Sequence, residues 1–148
     1  NTLTKSGTGV LSLGGTNTYS GATSISAGTL AVTANDALGD MTGNTAIASG
    51  ATLDFRNVNY STAEALALNG GTIATSTGTS SFAGDVTLAV ADGTVNVSGA
   101  QLTLSGIIAD GAGTFGFTPS LFPEEPLKKP LNENISPIIT KANIPYNI

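Results

Sequence analysis

One short pattern recurs along the first 118 residues: a glycine, then a small or β-branched residue, then a large apolar residue. The apolar members, which we call the anchors, are spaced 19, 23, 20, 22 and 20 residues apart: Leu11, Leu30, Leu53, Ile73, Val95 and Phe115. A repeat of about 20 residues is the length of one coil of a solenoid, in which each coil stacks on the previous one. The repeat therefore predicts about six stacked coils, with the anchors above one another.

Apolar and polar residues alternate around the anchors, as in 11–13, 53–55 and 95–97. This period of two places one side chain inside and the next outside on a β-strand. Strands this short need neighbours to be stable. We therefore predict an all-β fold, a right-handed parallel β-helix. An antiparallel β-sandwich also has many short strands, but it gives no reason for a glycine step to recur at one coil length. Of the aromatic residues, we expect the phenylalanines in the core and Tyr19 and Tyr60 at a coil edge.

Glycine and proline divide the chain into two regions. All 19 glycines lie at or before Gly116, and all six prolines lie at or after Pro119. This exchange predicts a solenoid at 1–118 and an irregular, Pro-rich extended tail at 119–148. The end of a solenoid is an open sheet edge that needs a cover. The isoleucines of the tail are therefore a candidate cap, or a strand-donating assembly segment: Ile135, Ile138, Ile139 and Ile144.

The composition restricts the chemistry of the chain. It has no cysteine and no histidine, which excludes thiol nucleophiles, imidazole bases and the usual zinc ligands. We predict no catalytic residue, no metal ligand and no cofactor, and hence no enzyme. Asp36 and Asp40 are the one pair of nearby acids that could serve glycoside chemistry, although turn-forming aspartates in a polar loop are the simpler interpretation. A polysaccharide-binding or polysaccharide-acting β-helix stays open as an alternative.

The charge of the chain bears on its partners. The formal net charge is −5, and a nucleic-acid partner would require a basic face instead. No run of apolar residues is long enough for a membrane-spanning helix. Neither a signal peptide nor a translocator barrel is recognisable in the sequence.

The first 30 residues carry a specific motif. Residues 3–13 follow the order Leu-x-Lys-x-Gly-x-Gly-x-Leu-x-Leu, residues 17–23 read Asn-x-Tyr-x-Gly-x-Thr, and residues 27–30 read Ala-Gly-Thr-Leu. This stretch resembles the autotransporter-associated β-strand repeat. After Thr118 the chain departs from the family, because Pro119 begins the tail where another such repeat is expected.

The resemblance implies a β-helix in the exported passenger of a type V secretion protein. It implies a stalk and adhesive surface, located outside the cell or on the bacterial surface, whose partners are surface glycans or proteins. The alternative from a different class is a self-associating subunit, joined through sheet edges or through the tail.

Overall fold

The computed structural model describes residues 1–111 and the backbone of three further strands, at 116–120, 129–130 and 138–140. Every regular element in this part of the chain is a β-strand, and successive coils pair in parallel. The chain makes about 5 turns of a parallel β-helix. The predicted parallel β-helix is therefore confirmed, with about 5 turns where about six coils were predicted. The sandwich is excluded for the described residues, because its sheets would be antiparallel.

Three sheets run along the axis of the solenoid. The first sheet contains β1 (Leu3–Lys5), β3 (Thr23–Ile25), β5 (Thr45–Ala48), β8 (Leu66–Asn69), β11 (Val86–Ala91) and β14 (Ile108–Asp110). The second contains β2 (Val10–Leu13), β4 (Gly28–Val32), β6 (Ala51–Phe55), β9 (Thr72–Thr75), β12 (Gly93–Val97) and β15 (Gly116–Ser120). The third contains β7 (Asn59–Tyr60), β10 (Thr79–Phe82) and β13 (Gln101–Leu104). Two tail strands, β16 (Lys129–Pro130) and β17 (Ile138–Thr140), add antiparallel to β15 and β13.

A glycine forms the corner between the first and second sheets in three successive coils. Gly28, Gly50 and Gly70 have φ angles of 70°, 78° and 79° at this corner in three successive coils. Glycine adopts this left-handed conformation without the steric cost that a Cβ atom imposes. Gly28 and Gly50 are glycines of the repeat, whereas Gly70 lies one residue before the repeat glycine Gly71.

The anchors of the second sheet form one internal column. Leu11 pairs with Leu30, Leu30 with Leu53, Leu53 with Ile73, and Ile73 with Val95. The residue before each anchor forms a parallel column that is half-buried on the outer face: Thr29, Thr52, Thr72 and Thr94. Each Gly-Thr-Leu step thus supplies a corner, an outward residue and a core residue.

The last coil differs in detail from the sequence-based division. Phe115, the sixth predicted anchor, lies outside the described residues. Opposite Val95, strand β15 places Pro119. Because β15 ends at Ser120, the last solenoid strand runs two residues past the predicted boundary at Thr118.

Three aromatic rings fill the middle of the core. Phe55, Tyr60 and Phe82 lie with ring centroids 5.2 to 5.7 Å apart. Tyr60 is completely buried, so the expected edge position for this residue is wrong. Its hydroxyl oxygen accepts a hydrogen bond from the Leu38 amide at 3.1 Å, which offsets the cost of burying a polar group. Tyr19 is half-buried in a loop, as expected.

Loops replace the third sheet in the first two coils. The loop at 14–22 stacks on the loop at 33–44, where the Asn17 amide donates to the Asp36 carbonyl at 3.0 Å. The Asn17 side chain also donates to the Ala37 carbonyl at 2.7 Å. Loops stacked in this way leave room between their side chains that paired strands would not.

No helix in the described part of the chain is long and apolar enough to cross a membrane.

Candidate functional site

An open cleft of about 550 Å³ lies on the side where loops replace the third sheet. Three loops from consecutive coils form it, at 16–18, 36–41 and 61–63. Hydroxyl, amide, carboxylate and thioether groups share its walls, from Thr16, Asn17, Asp36, Asp40, Met41 and Thr62. Such a mixture can hydrogen-bond a polar ligand and cover one apolar face of it.

The structure brings Asp36 and Asp40, the acid pair nominated from the sequence, to this one cleft. The Asp36 carboxylate accepts a hydrogen bond from the Thr62 hydroxyl one coil away. Asp36 also has a φ angle of 58°, which aspartate tolerates better than most residues. The exposed Asp40 carboxylate accepts from the Thr42 amide at 3.1 Å. Both side chains therefore act as acceptors that shape their loops.

Glu64 was missed by the sequence reasoning. It lies two residues before β8 and is completely buried. The Thr45 hydroxyl donates to its Oε1 atom, and the Tyr60 hydroxyl donates to its Oε2 atom at 3.4 Å. Burial raises the pKa of Glu64 to about 7 because the charged form loses its hydration. Since the side chain is buried, its carboxyl group does not reach a ligand in the cleft.

The motif at the start of the chain forms the contact between the first two coils. Lys5 is 7% exposed, and its ammonium group donates to the carbonyl of Gly7 and, at 3.1 Å, to that of Ala27 in the next coil. Gly28 lies so close that a Cβ atom there would touch the Gly7 carbonyl and stand 2.5 Å from the Gly9 carbonyl. The Lys-x-Gly-x-Gly and Ala-Gly-Thr-Leu segments are thus two sides of one packed corner.

The two ends of the solenoid differ. At the N-terminal end, β1 and β2 each have one paired neighbour in the described part of the chain. At the C-terminal end, β17 pairs with β13, and Ile139 and Ile138 stand opposite Leu102 and Thr103. Ile135 and Ile144, the other two residues of the candidate cap, lie outside the described residues.

The described side chains contain no group of three or more histidine, cysteine or acidic residues that could hold a metal ion.

The first two coils match a known family. Residues 3–32, which span β1 to β4, match the model described as passenger-associated-transport-repeat. No curated protein and no solved structure matches the chain. The matched segment contains the contact of Lys5 with the corner at Gly28, so this packed corner lies within the part of the chain that is similar to a passenger repeat.

Proposed function

We propose that this chain is a non-enzymatic stalk segment of an autotransporter passenger and acts outside the cell through its shape. The observation that carries the proposal is the unbroken parallel pairing of the first sheet from β1 to β14, which begins in the matched repeat. In such a solenoid each coil contacts only its neighbours, so the coils can form one after another. This property suits a chain that leaves a secretion pore end first.

Surface display tests the stalk function. The chain is given a signal sequence and a translocator domain from a known autotransporter, and external protease is added to intact cells. We expect a folded, protease-resistant chain on the surface. The matched control is Leu53→Asp, which places a charge in the anchor column and should give a chain that the protease degrades. Retention of the unaltered chain inside the cell would contradict the proposal.

The same proposal assigns adhesive contact to the cleft, with surface glycans or proteins as partners. The support is the mixture of polar groups with the exposed side chain of Met41, which is 64% exposed. Weak individual contacts of this kind gain strength when many copies stand on one surface.

Two equally exposed apolar residues allow binding at the cleft to be distinguished from binding elsewhere on the surface. Met41 lines the cleft, and Val90, which is 66% exposed, lies on β11 away from it. We expect Met41→Ser to reduce binding of the displayed chain to a glycan array or to host cells, and Val90→Ser to leave binding unchanged. Equal binding by both variants and the parent would refute the cleft as the contact surface.

The non-enzymatic part of the proposal rests on residue types, since the chain has no histidine and no cysteine. Its test is the release of reducing ends from a panel of polysaccharides. We expect none. Release that disappears in Asp36→Ala or Asp40→Ala would establish the polysaccharide-acting alternative instead.

A further inference from the structure

Two of the loops that form the cleft are tied together behind its surface by buried groups. The buried Leu38 amide, in the loop at 36–41, donates to the Tyr60 hydroxyl at 3.1 Å. That hydroxyl donates in turn to Glu64 at 3.4 Å. Glu64 directly follows the loop at 61–63. One chain of hydrogen bonds thus joins the two loops, and it ends on a carboxyl group that is completely buried.

The same two loops also meet at the surface of the cleft. The Thr62 hydroxyl donates to the Asp36 carboxylate, and both residues line the cleft. Asp36 lies two residues before Leu38. Thr62 likewise lies two residues before Glu64. A rearrangement of the buried hydrogen bonds therefore moves side chains that a ligand in the cleft would contact.

The groups packed around Glu64 are neutral hydroxyls. Its charge acts on Tyr60 from β7 and on Tyr19 from the loop at 14–22. Burial raises the pKa of both tyrosines, so both keep their protons near neutral pH. Thr45, on β5, donates its hydroxyl to the Oε1 atom of Glu64.

The two basic side chains that the structure describes are engaged away from Glu64. Lys5 donates to backbone carbonyl groups, and Arg56 pairs with Asp54 at 2.7 Å. Asp36 adds a further negative charge that acts on Tyr60. A charge on Glu64 is therefore buried among hydroxyl groups without a described cation to compensate it, which is costly.

We infer that Glu64 is a pH-dependent positioning residue of the cleft: its neutral form keeps the loops at 36–41 and 61–63 together, and its ionisation draws them apart. A newly formed carboxylate is stabilised by water, and water reaches it only if the loops separate. Burial raises the pKa of Glu64 to about 7, so the change falls near neutral pH. The consequence for ligand binding rests on the proposed adhesive function of the cleft, whereas the change in shape does not.

The single methionine of the chain reports on the shape of the cleft. Met41 lines the cleft, so a carbon-13 label in its methyl group gives one resonance from this site. We expect this resonance in the full-length parent to shift between pH 6 and pH 8.5, with a midpoint near 7. It should stay constant in Glu64→Gln, whose amide does not titrate.

Val90 is the control probe for this titration, because it is exposed on β11 away from the cleft. Its methyl resonances should not follow the Met41 midpoint. A Met41 resonance that stays constant in the parent would overturn the inference. An equal shift in Glu64→Gln would overturn it as well.

Two substitutions at Thr45 test whether Glu64 is the group that titrates. The hydrogen bond from Thr45 lowers the pKa of Glu64. Thr45→Val removes this donor and should move the Met41 midpoint to higher pH. Thr45→Ser keeps a hydroxyl and should leave the midpoint in place. The same midpoint in both variants would contradict the assignment of the titration to Glu64.

Binding at two pH values separates this inference from the adhesive function. We expect the displayed parent to bind a glycan array about tenfold more weakly at pH 8 than at pH 6, and Glu64→Gln to bind equally at both. Equal binding by the parent at the two pH values would overturn the inference and leave the adhesive function in place. Absence of binding at both would refute the adhesive function alone, because the Met41 titration decides the change in shape without a ligand.

Discussion

Glu64 is a carboxylic acid that the fold removes from water between Thr45 and Tyr60. Its pKa is raised from 4.5 to about 7, so the folded chain holds this proton over a pH range in which the unfolded chain releases it. The resulting stabilisation is fully present below pH 4.5 and is lost as the pH rises through 7. The raised pKa of Glu64 changes the free energy of unfolding by roughly 3 kcal/mol between these two pH limits.

Replacing Glu64 with glutamine should remove this pH dependence. The amide keeps the shape and an oxygen that accepts from Thr45, but it does not titrate. We expect the melting temperature of the parent to fall from pH 5 to pH 8 relative to that of Glu64→Gln. Asp40→Asn is the control, because Asp40 is exposed and its variant should follow the parent. Parallel curves for the parent and Glu64→Gln would contradict the assignment.

Gly28 should tolerate no side chain. Its φ angle is 70°, and a Cβ atom would meet the carbonyls of Gly7 and Gly9. We expect Gly28→Ala to lower the free energy of unfolding, measured in urea, by about 1–3 kcal/mol or more. Gly15→Ala is the matched change, since nothing lies within 4 Å of a Cβ atom at that position. Equal stability of the two variants would show that the corner is not packed as described.

At the scale of the strand, two leucines at equivalent positions of the anchor column can be compared. Leu53 is completely buried between two coils, whereas Leu11 is 37% exposed at the end of the column. We expect Leu53→Ala to cost about 2–5 kcal/mol of unfolding free energy. Leu11→Ala should cost less than half of that, because part of its surface is already in water. Chemical denaturation of both variants checks the difference, and equal losses would contradict the stacking order.

The elements that repeat could be predicted from the sequence, and those that occur once could not. The Gly-Thr-Leu step predicted the column of Leu30, Leu53 and Ile73 because corner, outward face and core recur in each coil. The third sheet gave no such signal, since it begins only at β7 and the first two coils carry loops instead. The burial of Tyr60 and Glu64 depends on which loops stack beside them. The spacing of neighbouring residues in the sequence does not indicate this. The cleft has the same origin, and only its two aspartates were nominated in advance.

For the whole molecule, the account depends on one property: coils that pair in parallel and keep their core columns in register, apart from one shift after Leu88 in β11. The stalk function requires it, because the coils form one continuous rod only if each coil stacks on the previous one. A slip of one residue would turn every anchor to the outer face.

Nuclear Overhauser contacts in the labelled full-length chain test this property most directly. The account predicts methyl contacts that link Leu30 to Leu53, Leu53 to Ile73, and Ile73 to Val95 in sequence, with the amide-to-α-proton pattern of parallel strands. Close α-proton pairs between strands that follow each other in the chain, such as β4 and β5, are typical of antiparallel hairpins. Finding those pairs in place of the column contacts would contradict the solenoid, and with it the stalk.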